Sequence, residues 1–312
     1  MKQLKWGVIG ASGIADRRMM PEGILQAENA RLVAITGRDQ VRLREIGSRY
    51  EGVQVCGSED ELLERDEVQA VYIATPNDLH LDQCLKAARA GKHILCEKPL
   101  ALTVEEGRRI VEEAEKAGVR LGCDYMMRYN VYNREVARLV QDGHLGAPVM
   151  GRAQLTCWYP PIEGAWRQIK KRAGGGAIMD LASHCVDLLE MIFGRATHVH
   201  CHHARLVHSY EVEDTSLITL RFESGAFGIV DAHFNIPDAA SENVLEAYGS
   251  RGCVRGRYSI GQSGGGELRL LIEDQDAGYQ AAQDRSTGGY QSVRLEEKNR
   301  IERSSRTSLD LF

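Results

Sequence analysis

Three polar residues follow a run of glycines at a regular spacing. Asp180, His184 and Asp187 stand at positions i, i+4 and i+7, which puts them on one face of a predicted helix. An imidazole one turn beyond a carboxylate suits proton transfer, because histidine titrates near neutral pH. The glycines at 174–176 leave room for a ligand at the start of that helix. The alternatives are an Asp180 that caps the helix beside a core His184, and a metal site; no third ligand is evident, so we predict no metal.

A lysine at the end of a predicted strand is the second candidate. Lys98 follows the apolar run His93–Cys96. Residues at the carboxyl end of a parallel strand face the ligand crevice of a doubly wound sheet. A lysine there can hydrogen-bond a hydroxyl or carbonyl group, and Pro99 restricts the backbone beside it, with a cis bond as one option. A single lysine in a loop is normally a solvated surface residue. The interpretation of Lys98 as a functional residue therefore depends on its position directly after the strand.

A glycine-rich turn links the first predicted strand to the first helix. In a dinucleotide fingerprint at this point, Gly10 makes the tight turn and Ala15 allows close packing of helix on strand. Ser12 replaces the middle glycine, and Gly13 and Ile14 follow it. A helix that starts here offers unpaired N–H groups to a pyrophosphate. The alternative is an ordinary strand-to-helix turn.

The end of the second predicted strand favours NADP over NAD. An acidic residue there binds the ribose 2′-OH of NAD, whereas an arginine binds the 2′-phosphate of NADP. The expected acidic position is Gly37, Arg38 supplies a planar fork of donors, and Thr36 adds a hydroxyl. In the alternative interpretation Arg38 is a solvated turn residue and Asp39 a helix cap. A shift of one residue would make Asp39 the ribose acid, so NAD stays an alternative.

The first part of the chain predicts an α/β domain. Short apolar runs alternate with amphipathic helical segments, which is typical of a parallel sheet covered on both faces. Thr103 with Glu106 forms an N-terminal cap, and Gly118 ends that helix. The predicted strands are 4–9, 32–36, 70–74, 93–96 and 119–122. The first predicted helix starts at about 14, and the second follows the strand 32–36 and runs through 49. Two more predicted helices cover 79–90 and 104–117. We predict a doubly wound Rossmann domain over residues 1–122.

The remainder of the chain predicts an α+β domain over residues 123–312. Helical signals at 131–140 and 178–193 are followed by strands with few helices between them, which indicates a large, mainly antiparallel open sheet. The predicted strands are 197–203, 216–222, 226–234, 244–248 and 253–258. The segments 261–266 and 274–312 carry weak signals.

The composition of the chain argues against nucleic acid and membrane as binding partners. The 312 residues carry a net charge of −5, which offers no basic footprint for nucleic acid. No apolar run is as long as a membrane span, and the N-terminus lacks the features of a signal peptide, so we expect a cytoplasmic protein. The eight cysteines include no Cys-x-x-Cys pair, which favours reduced thiols.

Three further patterns give weaker indications of a functional site. Histidines at 198, 200, 202 and 203 lie on both faces of a predicted strand, which favours an exposed sheet face or a subunit interface over a metal site. The aromatic run Trp158-Tyr159 borders a pocket or staples a loop. The acidic run at 59–67 is predicted to be a solvated helical face.

The motifs together resemble one family. The chain is similar to the Gfo/Idh/MocA oxidoreductases, the glucose–fructose oxidoreductase and inositol dehydrogenase superfamily, from Trp6 to about Tyr258. The resemblance rests on these runs: 10–15, 74–80 (Ala-Thr-Pro-Asn-Asp-Leu-His), 96–99 (Cys-Glu-Lys-Pro), Trp166-Arg167, and 174–187. The order of these motifs is specific, although each alone is not.

The resemblance implies roles for individual residues. It implies that Lys98 and His184 handle the substrate proton while Asp180 orients the substrate or the histidine. Tyr125 and Arg128 occupy a segment that commonly contributes to the substrate pocket, and Arg167, Asp180 and His184 would also contact the substrate. The residues expected at the cofactor, besides those of the glycine-rich turn and Thr36–Arg38, are Thr75, Pro76, Asn77, His80, Glu97, Lys98, Trp166 and Arg167.

The expected reaction is hydride transfer between a nicotinamide, NADP in preference to NAD, and a secondary alcohol or ketone of a sugar, polyol or related cyclic compound. The alternatives are redox-assisted glycoside cleavage with bound cofactor and a non-catalytic cofactor-sensing regulator; a sensor needs none of the proton-transfer groups. The family implies a homodimer or homotetramer through the C-terminal sheet. Family members usually end in a helical segment, which the tail 297–312 does not resemble, so we expect a truncated or divergent tail.

Overall fold

The structure is a computed structural model that describes residues 3–261, 266–273, 289–293 and 295. The weak segment around 262–265, most of the polar stretch from 274 and the tail 297–312 lie outside the described residues. The described residues form two compact units: the first holds 3–126 and 164–174, and the second holds 127–163 and the described residues from 175 onward.

The strands of the described residues form two sheets. In chain order they are β1 (Leu4–Ile9), β2 (Ala30–Thr36), β3 (Gln54–Val55), β4 (Ala70–Ile73), β5 (His93–Glu97), β6 (Leu121–Asp124), β7 (Pro148–Thr156), β8 (Ala196–Ala204), β9 (Thr215–Phe222), β10 (Phe227–His233), β11 (Leu245–Gly249), β12 (Gly252–Arg257), β13 (Glu267–Ile272) and β14 (Gln291–Ser292).

The helices alternate with the strands in the first unit and are sparser in the second. The α-helices are α1 (Gln40–Gly47), α2 (Glu59–Leu63), α3 (His80–Arg89), α4 (Val104–Ala117), α5 (Val131–Gln141), α6 (Lys170–Ala173) and α7 (Ser183–Phe193). Ala15–Ile24 and Ile178–Ala182 have wide π-type turns, and short 3-10 turns lie at Asn77–Leu79, Met126–Tyr129, Trp166–Gln168 and Asp238–Ala240.

The first unit is a doubly wound parallel sheet. Its six strands run in the order β3-β2-β1-β4-β5-β6, and all neighbours are parallel. Successive residues of β1 face opposite layers: Val8 belongs to one buried cluster and Ile9 to the other. Both faces are therefore covered, as the apolar strands predict, and the order reverses between β1 and β4, where ligands bind in such folds.

The first helix differs from the sequence-based expectation in its winding. A helix is present at Ala15–Ile24, but its turns are of the π type and Pro21 lies inside it. Proline has no N–H, and its ring collides with the preceding turn of an α-helix, so Pro21 disfavours regular α-helical winding in this segment.

The second unit is an eight-stranded sheet with one covered face. Its order is β14-β13-β12-β11-β7-β10-β9-β8; β7 and β10 are parallel neighbours and all other pairs are antiparallel. Along β9, Ile218 and Leu220 are buried whereas Leu217 and Arg221 are exposed. Helices α5 and α7 pack on the covered face, where Phe193 stacks on Phe222 at 5.5 Å. The predicted, mainly antiparallel open sheet is confirmed.

Candidate active site

The glycine-rich turn makes a cradle at the carboxyl end of β1. Gly10 has a φ of +84°, and a Cβ atom there would lie 2.8 Å from the Thr75 side chain. Only glycine fits this position, so the turn needs Gly10 for both its conformation and its close approach to the end of β4. Ser12 is exposed, Gly13 and Ile14 are half-buried, and Ala15 is fully buried. The exposed part of the turn is thus open to a ligand.

The residues at the end of β2 that were predicted to select the cofactor differ in their exposure to solvent. The Thr36 hydroxyl is buried and donates to the Cys56 carbonyl at 3.1 Å, so it holds the strand end instead of facing solvent. The Thr36 carbonyl accepts the N–H groups of Gly10 and the residue after it, at 2.9 and 3.0 Å. Arg38 is exposed and Gly37 is half-buried. The Asp39 carboxylate caps α1 by accepting from the N–H groups of residues 41 and 42, as the capping interpretation predicted.

A buried histidine connects two strand-end loops. His80 is fully buried, and its ring nitrogens lie 2.9 Å from the Pro99 carbonyl oxygen and 3.0 Å from the Thr75 carbonyl oxygen. Burial lowers the pKa of His80, although both carbonyls favour the charged ring. The Thr75 hydroxyl donates to the Gln83 side chain, and Pro76 precedes the 3-10 turn. His80 therefore supports the shape of the crevice and is not exposed to it.

Trp166 and Arg167 belong to the first unit although they follow β7 in the chain. The buried Asn77 side chain donates to the Ala173 carbonyl at 3.0 Å, and Arg172 forms an ion pair with Asp78 at 3.2 Å. These bonds join the segment 164–174 to the loop after β4. The Arg167 guanidinium lies over the Trp166 ring, 4.4 Å from its centroid. Asn77 is therefore a structural link between two predicted parts of the cofactor crevice.

The Glu97-Lys98 pair ends β5 at the same edge of the sheet. The Glu97 carboxylate accepts a hydrogen bond from the buried Tyr72 hydroxyl and another from the Lys98 N–H at 3.2 Å. Burial, more than the neighbouring Glu97 charge, raises the pKa of Tyr72. Lys98 is half-buried, and the bond before Pro99 is cis. Glu97 thus fixes the backbone that carries the lysine.

Asp180 and His184 lie in the predicted helical segment of the second unit. Asp180 is half-buried in the π-type turn Ile178–Ala182, and His184 is buried in the first turn of α7. Isolated π-type turns within helices are frequent at functional sites. Lys98 belongs to the first unit. The convergence of Lys98 with His184 on one substrate stays a prediction.

Glu213 fixes the start of this segment, and the sequence patterns did not identify it. Its Oε1 accepts the N–H groups of Gly176 at 2.7 Å and Ile178 at 3.0 Å. Its own carbonyl accepts the Ala177 N–H at 3.1 Å. A Cβ on Gly176 would overlap that carbonyl. A carboxylate at the first N–H groups of a helix also has favourable charge.

Arg128 forms an ion pair with Asp187, the third polar residue of the motif Asp180-His184-Asp187. Its Nε donates to both carboxylate oxygens of Asp187, at 2.9 and 2.8 Å. Burial raises the pKa of Asp187, and the guanidinium partly opposes that shift. The pair ties the 3-10 turn at 126–129 to α7. Tyr125 is half-buried directly after β6 and belongs to the first unit.

A cysteine next to this segment is a second residue that the sequence patterns missed. Cys157 directly follows β7, and burial, together with the charges of Asp180 and Asp238, raises its pKa to about 12. The turn at 178–182 packs against β7 and β10. The end of β7 is therefore close to the Asp180 carboxylate, and its thiol is neutral near physiological pH.

Comparisons with known proteins agree with this architecture. The oxidoreductase family with an NAD-binding Rossmann fold matches residues 4–125, and the GFO/IDH/MocA C-terminal domain matches residues 133–255. The chain belongs to the Gfo/Idh/MocA oxidoreductases. The predicted family membership is confirmed, and the chain is an NAD(P)-dependent oxidoreductase.

Individual relatives act on sugars. The chain is 34% identical to 1,5-anhydro-D-fructose reductase of Ensifer adhaerens over 85% of this chain and 79% of that protein. It is 30% identical to D-xylose 1-dehydrogenase (NADP(+)) 2 of Haloferax volcanii over 75% and 71%. The aldose-aldose oxidoreductase of Caulobacter crescentus shares the fold, with a TM-score of 0.84 and 24% identity over 99% of this chain and 90% of that one. Across the described residues, no helix has the length and apolar character needed to cross a membrane.

Proposed function

We propose that this protein is an NADP(H)-dependent oxidoreductase that interconverts a secondary alcohol and a ketone on a sugar, polyol or related cyclic compound. The observation that carries the cofactor preference is the end of β2, where Gly37 stands at the acidic position and Arg38 is exposed beside it. The names of the relatives, a reductase of an anhydro sugar and an NADP-linked xylose dehydrogenase, support the substrate class.

The turn after β1 fits a dinucleotide. Gly10 lets the turn approach the end of β4, the space beside Gly13 is open, and Ser12 is exposed with a hydroxyl that can donate to phosphate. The helix that begins at Ala15 follows the turn directly, with the Ala15 N–H donating to the Ser12 carbonyl at 3.1 Å, so the positive end of the helix lies at the turn. When bound, the cofactor supplies a hydride acceptor or donor at its nicotinamide ring. The residues proposed to hold it are those of this turn, Gly37 and Arg38, and the strand-end loops with Thr75, Pro76, Glu97 and Trp166.

The preference for NADP follows from charge at the end of β2. A register shift of one residue would bring the Asp39 carboxylate to the ribose. That carboxylate already accepts two N–H groups as the cap of α1. Arg38 can then donate to a 2′-phosphate without a competing acid at position 37.

Different residues of the chain are proposed to bind, orient and exchange a proton with the substrate. Lys98 donates a hydrogen bond to the reacting oxygen, and His184 takes up or returns its proton. Asp180 orients the substrate or the imidazole, and Glu213 positions the turn that carries Asp180. Tyr125, Arg128 and Arg167 are proposed to contribute to substrate binding, with Arg128 held by Asp187.

The protein is proposed to act as a homodimer or homotetramer through the open face of the C-terminal sheet. Large apolar side chains are exposed there, with Phe227 at 59% and Leu217 at 45%. A second copy would bury them, and exposed apolar patches on a sheet are typical of interfaces.

Cofactor titration tests the assignment. The purified chain is titrated with NADPH and NADH by fluorescence, in parallel with Arg38→Asp and the control Arg44→Asp, which makes the same charge change at an exposed residue of α1. NADPH should bind more tightly to the unaltered chain and to the control, and Arg38→Asp should reverse the order. Equal affinities in the unaltered chain would contradict the assignment. Net nicotinamide turnover on a panel of sugars and polyols distinguishes a dehydrogenase from an enzyme that restores its bound cofactor in each cycle.

A further inference from the structure

Two histidines of β8 bring their ring nitrogens together. The Nε2 atoms of His200 and His202 lie 3.0 Å apart, and the ring centroids are 4.6 Å apart with the ring planes at 78°. Strand β8 is at one edge of the eight-stranded sheet, and side chains two positions apart in a strand point to the same face. Both rings are exposed, as the sequence pattern predicted. The meeting of their nitrogens is a contact that the pattern alone did not reveal.

The backbone that carries the two rings is fixed by pairing with β9. His200 stands opposite Thr219, and His202 stands opposite Leu217. Both partners are exposed residues of the open face of the sheet, so the two imidazoles lie on that face as well. Ligands on a paired strand are held in position before an ion arrives, and therefore lose less entropy on binding than ligands on a loose loop.

The two rings do not form a straight hydrogen bond. In a straight N–H···N bond the centroids would be separated by the nitrogen–nitrogen distance plus two ring radii, about 5.3 Å. The observed separation is 4.6 Å, so the rings are inclined to each other. A metal ion at about 2.0–2.1 Å from both nitrogens would give an N–metal–N angle of about 90–100° and centroids about 4.7 Å apart. The observed arrangement of the rings therefore fits a shared metal ion.

The angle between the two nitrogens indicates the class of ion. An angle of about 90° is that of neighbouring ligands in square-planar or octahedral coordination, which Cu²⁺ and Ni²⁺ adopt with imidazole ligands. Structural Zn²⁺ sites are tetrahedral, with a larger angle between ligands. Within the part of the chain that the structure describes, no group of three imidazole, thiol or carboxylate ligands forms. Water molecules would therefore complete the coordination of an ion held by this pair.

The two nearest histidines are arranged differently. The Nδ1 of His198 lies 3.0 Å from the Thr197 hydroxyl. His198 also stands opposite Arg221, whose positive charge disfavours a metal ion beside it. His203 directly follows His202 and points to the other side of the strand, because successive side chains alternate. His198 and His203 are therefore matched controls for the pair.

We propose that His200 and His202 form a chelating site for a divalent transition-metal ion of the Cu²⁺ and Ni²⁺ class, with one ion per chain. Both rings bind through Nε2, so each neutral ring carries its proton on Nδ1. The pair lies on the open face of the sheet, whereas α7 with His184 packs on the covered face. The bound ion therefore does not contact the proposed proton-transfer groups, and the site is independent of the proposed function.

Titration with Ni²⁺ tests the site, and Cu²⁺ is kept for spectroscopy because it also oxidises thiols. The full chain without an affinity tag is treated with EDTA, dialysed and titrated with NiCl₂ in a calorimeter. His200→Ala and His202→Ala are measured in parallel with the controls His198→Ala and His203→Ala. All four residues are exposed, so the substitutions should leave the fold intact, which circular dichroism checks.

The unaltered chain and both controls should bind one Ni²⁺ per chain with the same affinity. Each of His200→Ala and His202→Ala should weaken binding more than about tenfold, because loss of a group that merely supports a metal ligand already costs about 10–100-fold. MgCl₂ should give no binding, since Mg²⁺ prefers oxygen ligands. With one equivalent of Cu²⁺, electron paramagnetic resonance should show two nitrogen ligands in the unaltered chain and one in either variant.

Three results would overturn the proposal. The first is an unaltered chain that does not bind Ni²⁺. The second is unchanged affinity in either His200→Ala or His202→Ala, which would leave a single surface imidazole in place of a chelate. The third is half an ion per chain with a molecular mass that doubles on addition of Ni²⁺, which would assign the ion to two copies of the chain. None of these measurements depends on nicotinamide turnover, so each leaves the proposed function standing.

Discussion

Glu213 and Gly176 contact each other through both side chain and backbone. The Glu213 Oε1 accepts the Gly176 N–H at 2.7 Å, and the Glu213 carbonyl fills the space where a side chain on residue 176 would lie. This contact fixes the start of the helical segment that carries Asp180 and His184. The orientation of the proposed proton-transfer groups therefore depends on a residue far from them in the chain.

Removal of the Glu213 carboxylate should slow turnover. Glu213→Ala leaves the N–H groups of Gly176 and Ile178 without their partner, at a cost of about 1–3 kcal/mol in the free energy of unfolding. Glu213→Gln keeps an acceptor oxygen and should retain more activity. The measurement is kcat, NADPH affinity and urea unfolding for both variants. A Glu213→Ala variant with unchanged kcat would contradict the positioning role.

A methyl group at position 176 should have a similar effect for a different reason. Gly176→Ala forces its Cβ into the Glu213 carbonyl and should destabilise the fold by about 1–3 kcal/mol while lowering kcat. Gly107→Ala is the matched control: it lies inside α4 with open space around it, and should stabilise by about 0.4–1 kcal/mol. Equal stabilities of the two variants by urea unfolding would contradict the steric interpretation.

Stability should fall as the pH drops from neutral toward 5. Burial lowers the pKa of His80 from its ordinary value of 6.5, so the unfolded chain takes up a proton at a higher pH than the folded chain does. The neutral ring's contribution is complete above about 6.5 and is lost below it. His233 is shifted in the same direction, also chiefly by burial. The free energy of unfolding of His80→Gln should therefore depend less on pH in this window. An identical pH slope in the variant would show that His80 does not contribute.

The open face of the C-terminal sheet should control the oligomeric state. Phe227→Asp introduces a charge among exposed apolar residues of that face and should shift the molecular mass toward the monomer. Val41→Asp, at a residue 73% exposed in the first unit, is the control and should leave the mass unchanged. Light scattering after size-exclusion chromatography measures both. A monomeric unaltered chain, or a Phe227→Asp variant of unchanged mass, would contradict the proposed interface.

Local signals predicted much of the first unit. The helix expected at 104–117 has those bounds, Thr103 accepts the Glu106 N–H, and Gly118 has the left-handed conformation that ends a helix. The last strand was expected at 119–122 and lies at Leu121–Asp124, a shift of two residues. Caps and apolar runs are short-range features, so a single sequence contains them.

Long-range contacts explain what was missed. Strand β7 was not predicted, because Gly151 interrupts its apolar alternation; in the fold, a side chain there would overlap the Phe193 ring of α7. Neither the link from Asn77 to Ala173 nor the contact of Glu213 with Gly176 produces a local pattern, since each joins residues distant in the chain. The buried position of His80 and the inward hydroxyl of Thr36 are likewise set by packing.

The most direct test of the account is the turnover of Lys98→Met, measured together with its NADPH dissociation constant. Lys98 follows β5 at the carboxyl edge of the parallel sheet, and its proposed role is to donate a hydrogen bond to the reacting oxygen. Turnover on the best sugar or polyol should fall about 10²–10⁴-fold, with NADPH affinity within about threefold of the unaltered chain. The control Lys116→Met, an exposed lysine of α4, should change neither. Undiminished turnover in Lys98→Met would contradict the account.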